Sequence, residues 1–94
     1  MTKSITSLLP TGWRRMADIA ALRPAQRQVL ARIADLLGVE PDTLSLDATV
    51  QTQAQWDSYV QLEIMMFLEG EKGVEFSEEN IARFSILSEI LKIF

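Results

Sequence analysis

Two stretches of this chain place apolar residues at helical spacing, and a glycine follows each stretch directly. The first stretch leads to Gly38 and the second leads through Lys72 to Gly73. Glycine readily adopts the left-handed conformation that ends many helices. The pattern therefore predicts one helix over about Pro24–Leu37 and a second from Asp57 or Ser58 to about Lys72.

Two shorter helices are predicted near the C-terminus. Ser77 is placed to cap a helix over Glu78–Arg83, and Ser85 is placed to cap a last helix rich in isoleucine and leucine. Residues 74–76 are expected to cross the core between the second and third helices. Strand alternation and internal repeats are not visible in the sequence. The predicted fold class is therefore all-α, a small antiparallel four-helix bundle.

The segments outside these helices are less regular. Residues 39–56 show no sustained period and are expected to be pinned to the core by apolar pegs, which are Val39, Leu44, Leu46 and Val50. Residues 24–94 are predicted to form the domain, and residues 1–23 to be a basic extension with a short helix over 12–22. That helix either packs on the domain or serves as a docking element anchored by Trp13, with Arg14 and Arg15 as charge contacts. The initial methionine and the extension favour a free-standing chain.

Composition excludes several classes of chemistry. The 94-residue chain has no cysteine and no histidine, so it offers no disulfide, no thiolate nucleophile, no histidine base and no histidine metal ligand. Residues 33–94 contain twelve acidic and three basic residues, whereas nucleic-acid binding requires a basic surface. The acidic part favours protein partners with basic patches. No apolar run reaches the ~20 residues that span a bilayer, and a cytoplasmic monomer is expected.

The tetrapeptide Trp56-Asp57-Ser58-Tyr59 stands at the head of the second helix. A serine without a base is a poor nucleophile, so the preferred interpretation is that another protein modifies Ser58. The chain is then a non-catalytic carrier. Simpler interpretations remain for both polar residues, since Asp57 is a common N-cap and Ser58 is an ordinary first-turn residue.

The second helix carries two apolar faces. Val60, Ile64, Phe67 and Leu68 are predicted to form its core stripe. A second stripe consists of Tyr59, Leu62 and Met66, flanked by Glu63 and Glu69. An apolar centre with a charged rim is typical of a protein contact surface. The alternative is that a neighbouring helix, such as the N-terminal one, covers this stripe.

These residues, taken in order over residues 26–94, resemble the acyl carrier proteins. The resemblance rests on residues 29–39, on Trp56-Asp57-Ser58, on the Leu-Glu pairs at 62–63 and 68–69, and on residues 73–76. The spacing between Gly38, Ser58 and Gly73 is similar to that of the family. Two departures are the missing glycine before Asp57 and Tyr59 in place of a leucine, which indicate a specialised member and not a housekeeping one.

The resemblance implies a function for each part of the site. Ser58 would carry a phosphopantetheine arm, installed from coenzyme A by a phosphopantetheinyl transferase, with Asp57 as the adjacent motif acid. The arm would hold an acyl group as a thioester for acyl-loading and acyl-transfer enzymes of a fatty acid, lipid or polyketide pathway. Tyr59, Leu62, Glu63, Met66 and Glu69 would form the docking face for these partners. Met65, Phe67 and Leu68 either border a cavity for the chain or belong to the plain core. Two alternatives remain, an aminoacyl or peptidyl carrier and an unmodified helical adaptor.

Overall fold

The two long helices begin and end where the sequence predicts. The computed structural model describes residues 20–94, in which α1 is Pro24–Leu37 and α2 is Ser58–Lys72. Gly38 and Gly73 follow these helices with φ angles of 74° and 66°, in the left-handed region. In each case the glycine N–H donates to a carbonyl in the last turn, which satisfies a backbone acceptor that the helix leaves open.

Three shorter elements complete the described part of the chain. A 3₁₀ turn spans Pro41–Thr43, α3 spans Glu78–Arg83, and α4 spans Leu87–Lys92. Ser77 caps α3 as predicted, because its Oγ accepts the Asn80 N–H at 3.2 Å. Residues 20–94 thus contain α-helices and no extended strand, and the all-α fold class is confirmed for them.

One apolar core joins these helices. It takes residues from α1, from the connection before α2, from α2 and α4, and Phe84 from the end of α3. The helix α1 packs against α2 and α4. A hydrogen bond of 2.9 Å from Gln26 Nε2 to the Leu91 carbonyl ties the first turn of α1 to α4. The buried apolar residues are Val29, Leu30, Ile33, Ala34, Leu37, Leu44, Ala48, Trp56, Val60, Ile64, Met65, Leu68, Phe84, Leu87, Ile90 and Leu91.

Apolar contacts and two backbone hydrogen bonds fix the connection between α1 and α2 to the rest of the fold. Leu44 and Ala48 are buried, and Val39, Leu46 and Val50 are half-buried against the core. The Val50 N–H donates to the Ser85 carbonyl at 3.0 Å, and the Leu87 N–H donates to the Ala48 carbonyl at 2.9 Å. These two bonds fasten the connection to the junction of α3 and α4. The segment that leads to Ser58 is therefore an ordered part of the fold.

Two predictions for the C-terminal half are wrong. Ser85 does not cap α4, whose N-cap is Ile86; the Ser85 hydroxyl instead donates to the Ala82 carbonyl at 2.7 Å, closing the end of α3. Residues 74–76 do not cross the core, because Phe76 is 44% exposed and Val74 is only half-buried. Asn80 Nδ2 donates to the Glu75 carbonyl at 2.8 Å, and this hydrogen bond keeps the segment at the surface beside α3.

An ion pair connects the last two helices. Glu89 of α4 accepts from Lys92 at 2.6 Å and from Arg83 of α3 at 3.4 Å. The hydrogen bond from Lys92 holds the pKa of the Glu89 carboxyl below its ordinary value, and Arg83 adds to this effect.

The N-terminal predictions lie mostly outside the described residues. This applies to the basic extension over residues 1–23, to the short helix over 12–22, and to docking by Trp13, Arg14 and Arg15. Among the helices of residues 20–94, none combines the length and apolar character that crossing a bilayer requires.

Candidate functional site

Ser58 is the first residue of α2 and is exposed. Asp57 precedes it as the N-cap, and its Oδ1 accepts the Val60 N–H at 2.9 Å. The N-cap interpretation of Asp57 is therefore confirmed. Among the described side chains none hydrogen-bonds to the Ser58 hydroxyl, so this oxygen is accessible at a helix end. The first-turn N–H groups of Ser58 and Tyr59 have no partner inside the helix.

Trp56, two residues before Ser58, is a core residue with 1% of its surface exposed. Its indole Nε1 donates to Gln61 Oε1 at 2.6 Å. The other end of that carboxamide continues the chain of bonds, because Gln61 Nε2 donates to the Ile81 carbonyl of α3 at 3.0 Å. One side chain of α2 thus joins the residue next to Asp57 to α3.

Gln61 is not among the site residues predicted from the sequence. Its position carries a detectable signal, since Gln61, Ile64, Met65 and Leu68 share one face of α2 at helical spacing. All four are buried. A polar member of such a core face needs a buried hydrogen-bond partner, and Trp56 is the nearby residue with a single N–H to donate.

An apolar cleft of about 540 Å³ opens beside Ser58. Leu62 and Phe76 of its lining are exposed and form the rim, whereas Gln61 and Met65 are buried and form the floor. Ile81 and Ala82 of α3 form one wall. The complete lining is Val50, Ser58, Gln61, Leu62, Met65, Phe76, Ile81, Ala82 and Ser85.

The three residues that were candidates for a cavity wall separate in the structure. Met65 lines this cleft. Phe67 lies elsewhere, stacked on the Phe94 ring with centroids 6.0 Å apart, and Leu68 is a core residue with no exposed surface. Phe67 is also only half-buried, whereas the other members of the predicted core stripe are buried.

The second apolar stripe of α2 is exposed. Tyr59 is 69% exposed, Leu62 45% and Met66 59%. Glu69 is exposed beside them and Glu63 is half-buried. Within residues 20–94 no helix covers this stripe, and the predicted N-terminal helix lies mostly outside the described residues. Leu62 belongs to both the stripe and the cleft rim, so the two surfaces are continuous.

Residues 20–94 contain no group of three or more acidic side chains that could hold a metal ion. Compared with protein-family models, with curated proteins and with solved structures, the chain gives no significant match to any of the three. Its function is therefore inferred from the Ser58 site itself.

Proposed function

We propose that this chain is a carrier protein whose Ser58 hydroxyl bears a phosphopantetheine arm. The observation that carries the proposal is the position of Ser58, which is exposed, begins a 15-residue helix and lies at the edge of an apolar cleft. A modified serine must be reachable by the enzyme that modifies it. A carrier that shelters its cargo needs an apolar site near the attachment point, and the cleft beside Ser58 is suited to that role.

The residues around Ser58 fit such an arm. Its phosphodiester is anionic, and a helix N-terminus stabilises an anion through unpaired N–H groups and the helix dipole. Asp57 supports this end of the helix as the N-cap and offers its other carboxylate oxygen to the transferase's magnesium. On modification, the Ser58 oxygen bonds to phosphorus, the nucleotide part of coenzyme A leaves, and the hydroxyl proton passes to the transferase. The arm supplies a terminal thiol that holds cargo as a thioester, in a chain that has no cysteine of its own.

The cleft has the dimensions and polarity of a binding site for an apolar chain. Its volume of about 540 Å³ lies within the ~300–1,000 Å³ typical of small-molecule sites. Met65, Ile81 and Val50 would cover hydrocarbon and keep it from water, which stabilises the enclosed cargo through the hydrophobic effect. The proposed cargo is therefore an acyl group, and an aminoacyl or peptidyl group is the alternative.

The stripe on α2 is the proposed docking face for the transferase and for acyl-loading and acyl-transfer enzymes. Its apolar centre is Tyr59, Leu62 and Met66, and the carboxylates of Glu63 and Glu69 attract partners with basic surfaces. Because Leu62 also forms the cleft rim, an enzyme bound to this face contacts the exit of the cleft. A lipid or secondary-metabolite pathway with dedicated enzymes would suit a carrier of this kind.

A second candidate is an adaptor that is never modified. The same exposed stripe favours it, because an apolar face with an acidic rim binds proteins without any arm. The two candidates differ in one measurable property, namely whether Ser58 accepts the arm.

The test is to incubate the full chain with coenzyme A, magnesium and a broad-specificity phosphopantetheinyl transferase, and then to measure its intact mass. Wild type and Ser88→Ala, a control for serine loss in α4, should gain one arm. Ser58→Ala should gain none while unfolding at the same temperature as wild type. If wild type gains no mass, the adaptor is favoured; a gain by Ser58→Ala would place the arm on another residue.

A further inference from the structure

Gln61 is the buried polar side chain of the cleft floor. It is 6% exposed and lies one helical turn from Ser58. The other polar residues of the lining differ from it: Ser58 is at the exposed edge, and the Ser85 hydroxyl donates to the Ala82 carbonyl. Gln61 is therefore the buried side chain of the lining that can donate a hydrogen bond to an enclosed group.

The carboxamide of Gln61 has hydrogen-bonding capacity that the fold does not use. A carboxamide donates two hydrogen bonds and accepts two. Within the described residues, Gln61 donates one to the Ile81 carbonyl and accepts one from the Trp56 indole. One N–H and one acceptor position remain. The two existing bonds restrain the carboxamide, since its oxygen and its nitrogen each have a partner.

This unused capacity affects what the cleft should enclose. A plain hydrocarbon that fills the cleft gives the remaining N–H of the Gln61 carboxamide no hydrogen-bond partner, which is unfavourable for a buried donor. A chain with an oxygen at the level of Gln61 supplies that partner. The rest of the wall, including Met65 and Ile81, is apolar and suits the hydrocarbon on either side of the oxygen.

We infer that Gln61 is a specificity-determining residue, and that it selects acyl cargo bearing a ketone oxygen on the enclosed chain over fully saturated cargo of the same length. The inference rests on the proposed carrier function and names the cargo class for the same cleft. The ketone accepts the free N–H of the Gln61 carboxamide. Because Trp56 and Ile81 already hold that carboxamide, little side-chain freedom is lost when the cargo binds.

The direct test uses the wild-type chain loaded with three eight-carbon thioesters: the saturated chain and its 3-oxo and 5-oxo analogues. The arm is common to all three, so any difference arises from the ketone. The side-chain amide signals of Gln61 are followed by ¹⁵N NMR. They should move with at least one oxo chain and remain near the unloaded position with the saturated chain. Equal shifts with all three cargoes would overturn the inference.

Thermal unfolding gives an independent measurement. One net hydrogen bond in a domain of this size raises the unfolding midpoint by about 4 °C, and the better oxo form should exceed the saturated form by that amount. Gln61→Leu should abolish the difference, whereas Ser88→Ala, in α4 and outside the cleft lining, should retain it. Loss of the difference in Ser88→Ala would contradict the assignment of the selection to Gln61.

The outcomes remain separable from those of the carrier proposal. If Gln61→Leu does not fold, the NMR comparison in wild type still decides the question. If the arm is installed on Ser58 and all cargoes load but Gln61 does not distinguish them, the carrier function stands and the specificity inference fails.

Discussion

Trp56 and Gln61 form a buried hydrogen bond, in which the indole Nε1 donates to the carboxamide Oε1 at 2.6 Å. The bond connects the segment immediately before Asp57 to the fourth residue of α2. Since the carboxamide also binds the Ile81 carbonyl, the three residues link the attachment segment, α2 and α3. The fold around Ser58 depends on a polar contact inside an otherwise apolar core.

The first prediction is that Gln61→Leu destabilises the domain. The substitution leaves the Trp56 N–H and the Ile81 carbonyl without their partner, which should cost about 2–4 kcal/mol in the free energy of unfolding. Gln28→Leu is the matched control, because Gln28 is exposed on α1 and its loss should change that free energy by less than ~0.5 kcal/mol. Urea unfolding measures both. Equal effects would show that the buried carboxamide is not stabilising.

The second prediction separates two roles of Asp57, namely capping α2 and assisting the magnesium ion of the transferase. Asp57→Ala removes the N-cap acceptor of Val60 and should lower stability by about 1 kcal/mol. Asp57→Asn keeps an oxygen acceptor, so its stability should stay within ~0.5 kcal/mol of wild type. If Asp57 also assists magnesium, the asparagine variant should accept the arm more slowly despite its intact fold. Normal arm installation on both variants would restrict Asp57 to capping.

The third prediction concerns the acidic rim of the α2 stripe. Reversing Glu63 and Glu69 to lysine should lower the second-order rate of arm installation about tenfold at low salt, because rim charges steer association. Added salt should narrow the difference, since it screens exposed charges. Asp35→Lys with Asp42→Lys makes the same change in net charge on α1 and the 3₁₀ turn. A similar rate loss in that control would indicate a general charge effect and not a docking face.

The fourth prediction tests the aromatic pair at the other side of α2. Phe67 and Phe94 stack with their planes 15° apart, and the Lys72 ammonium lies 4.9 Å from the Phe94 ring centroid. Phe94→Ala should therefore cost about 1–2 kcal/mol of unfolding free energy. Phe76→Ala removes a ring that is 44% exposed and should cost less. Chemical denaturation measures the free energy of unfolding of both variants. A larger loss for Phe76→Ala would contradict a stabilising role for the Phe67–Phe94 stack.

The sequence predicted the helices closely because their signals are local. The bounds of α1 follow from Pro24, helical spacing and Gly38, and the end of α2 follows from Gly73. Ser77 as the cap of α3 was predicted for the same reason, and Ser85 as the cap of α4 was not correct. A serine between two helices can serve either one, and the choice depends on how the helices meet.

The candidate site also contains features that the sequence predicts and features that only the tertiary structure shows. Helical spacing predicts Tyr59, Leu62 and Met66 as a stripe apart from the core stripe, but it leaves open whether another helix covers them. The cleft and the partners of Gln61 do not follow from such a pattern. They need α3 placed beside α2, and contacts of that kind join residues far apart in the chain.

The amino-acid order alone determined the boundaries of α1, α2 and α3 and the place of Ser58 at a helix start, because capping, glycine stops and helical periodicity act between near neighbours. Only the tertiary structure decided that Trp56 is buried against Gln61 and that Ser58 borders a cleft. Burial and cavity shape depend on the packing of elements that meet in space, and helical spacing carries no information about which elements meet.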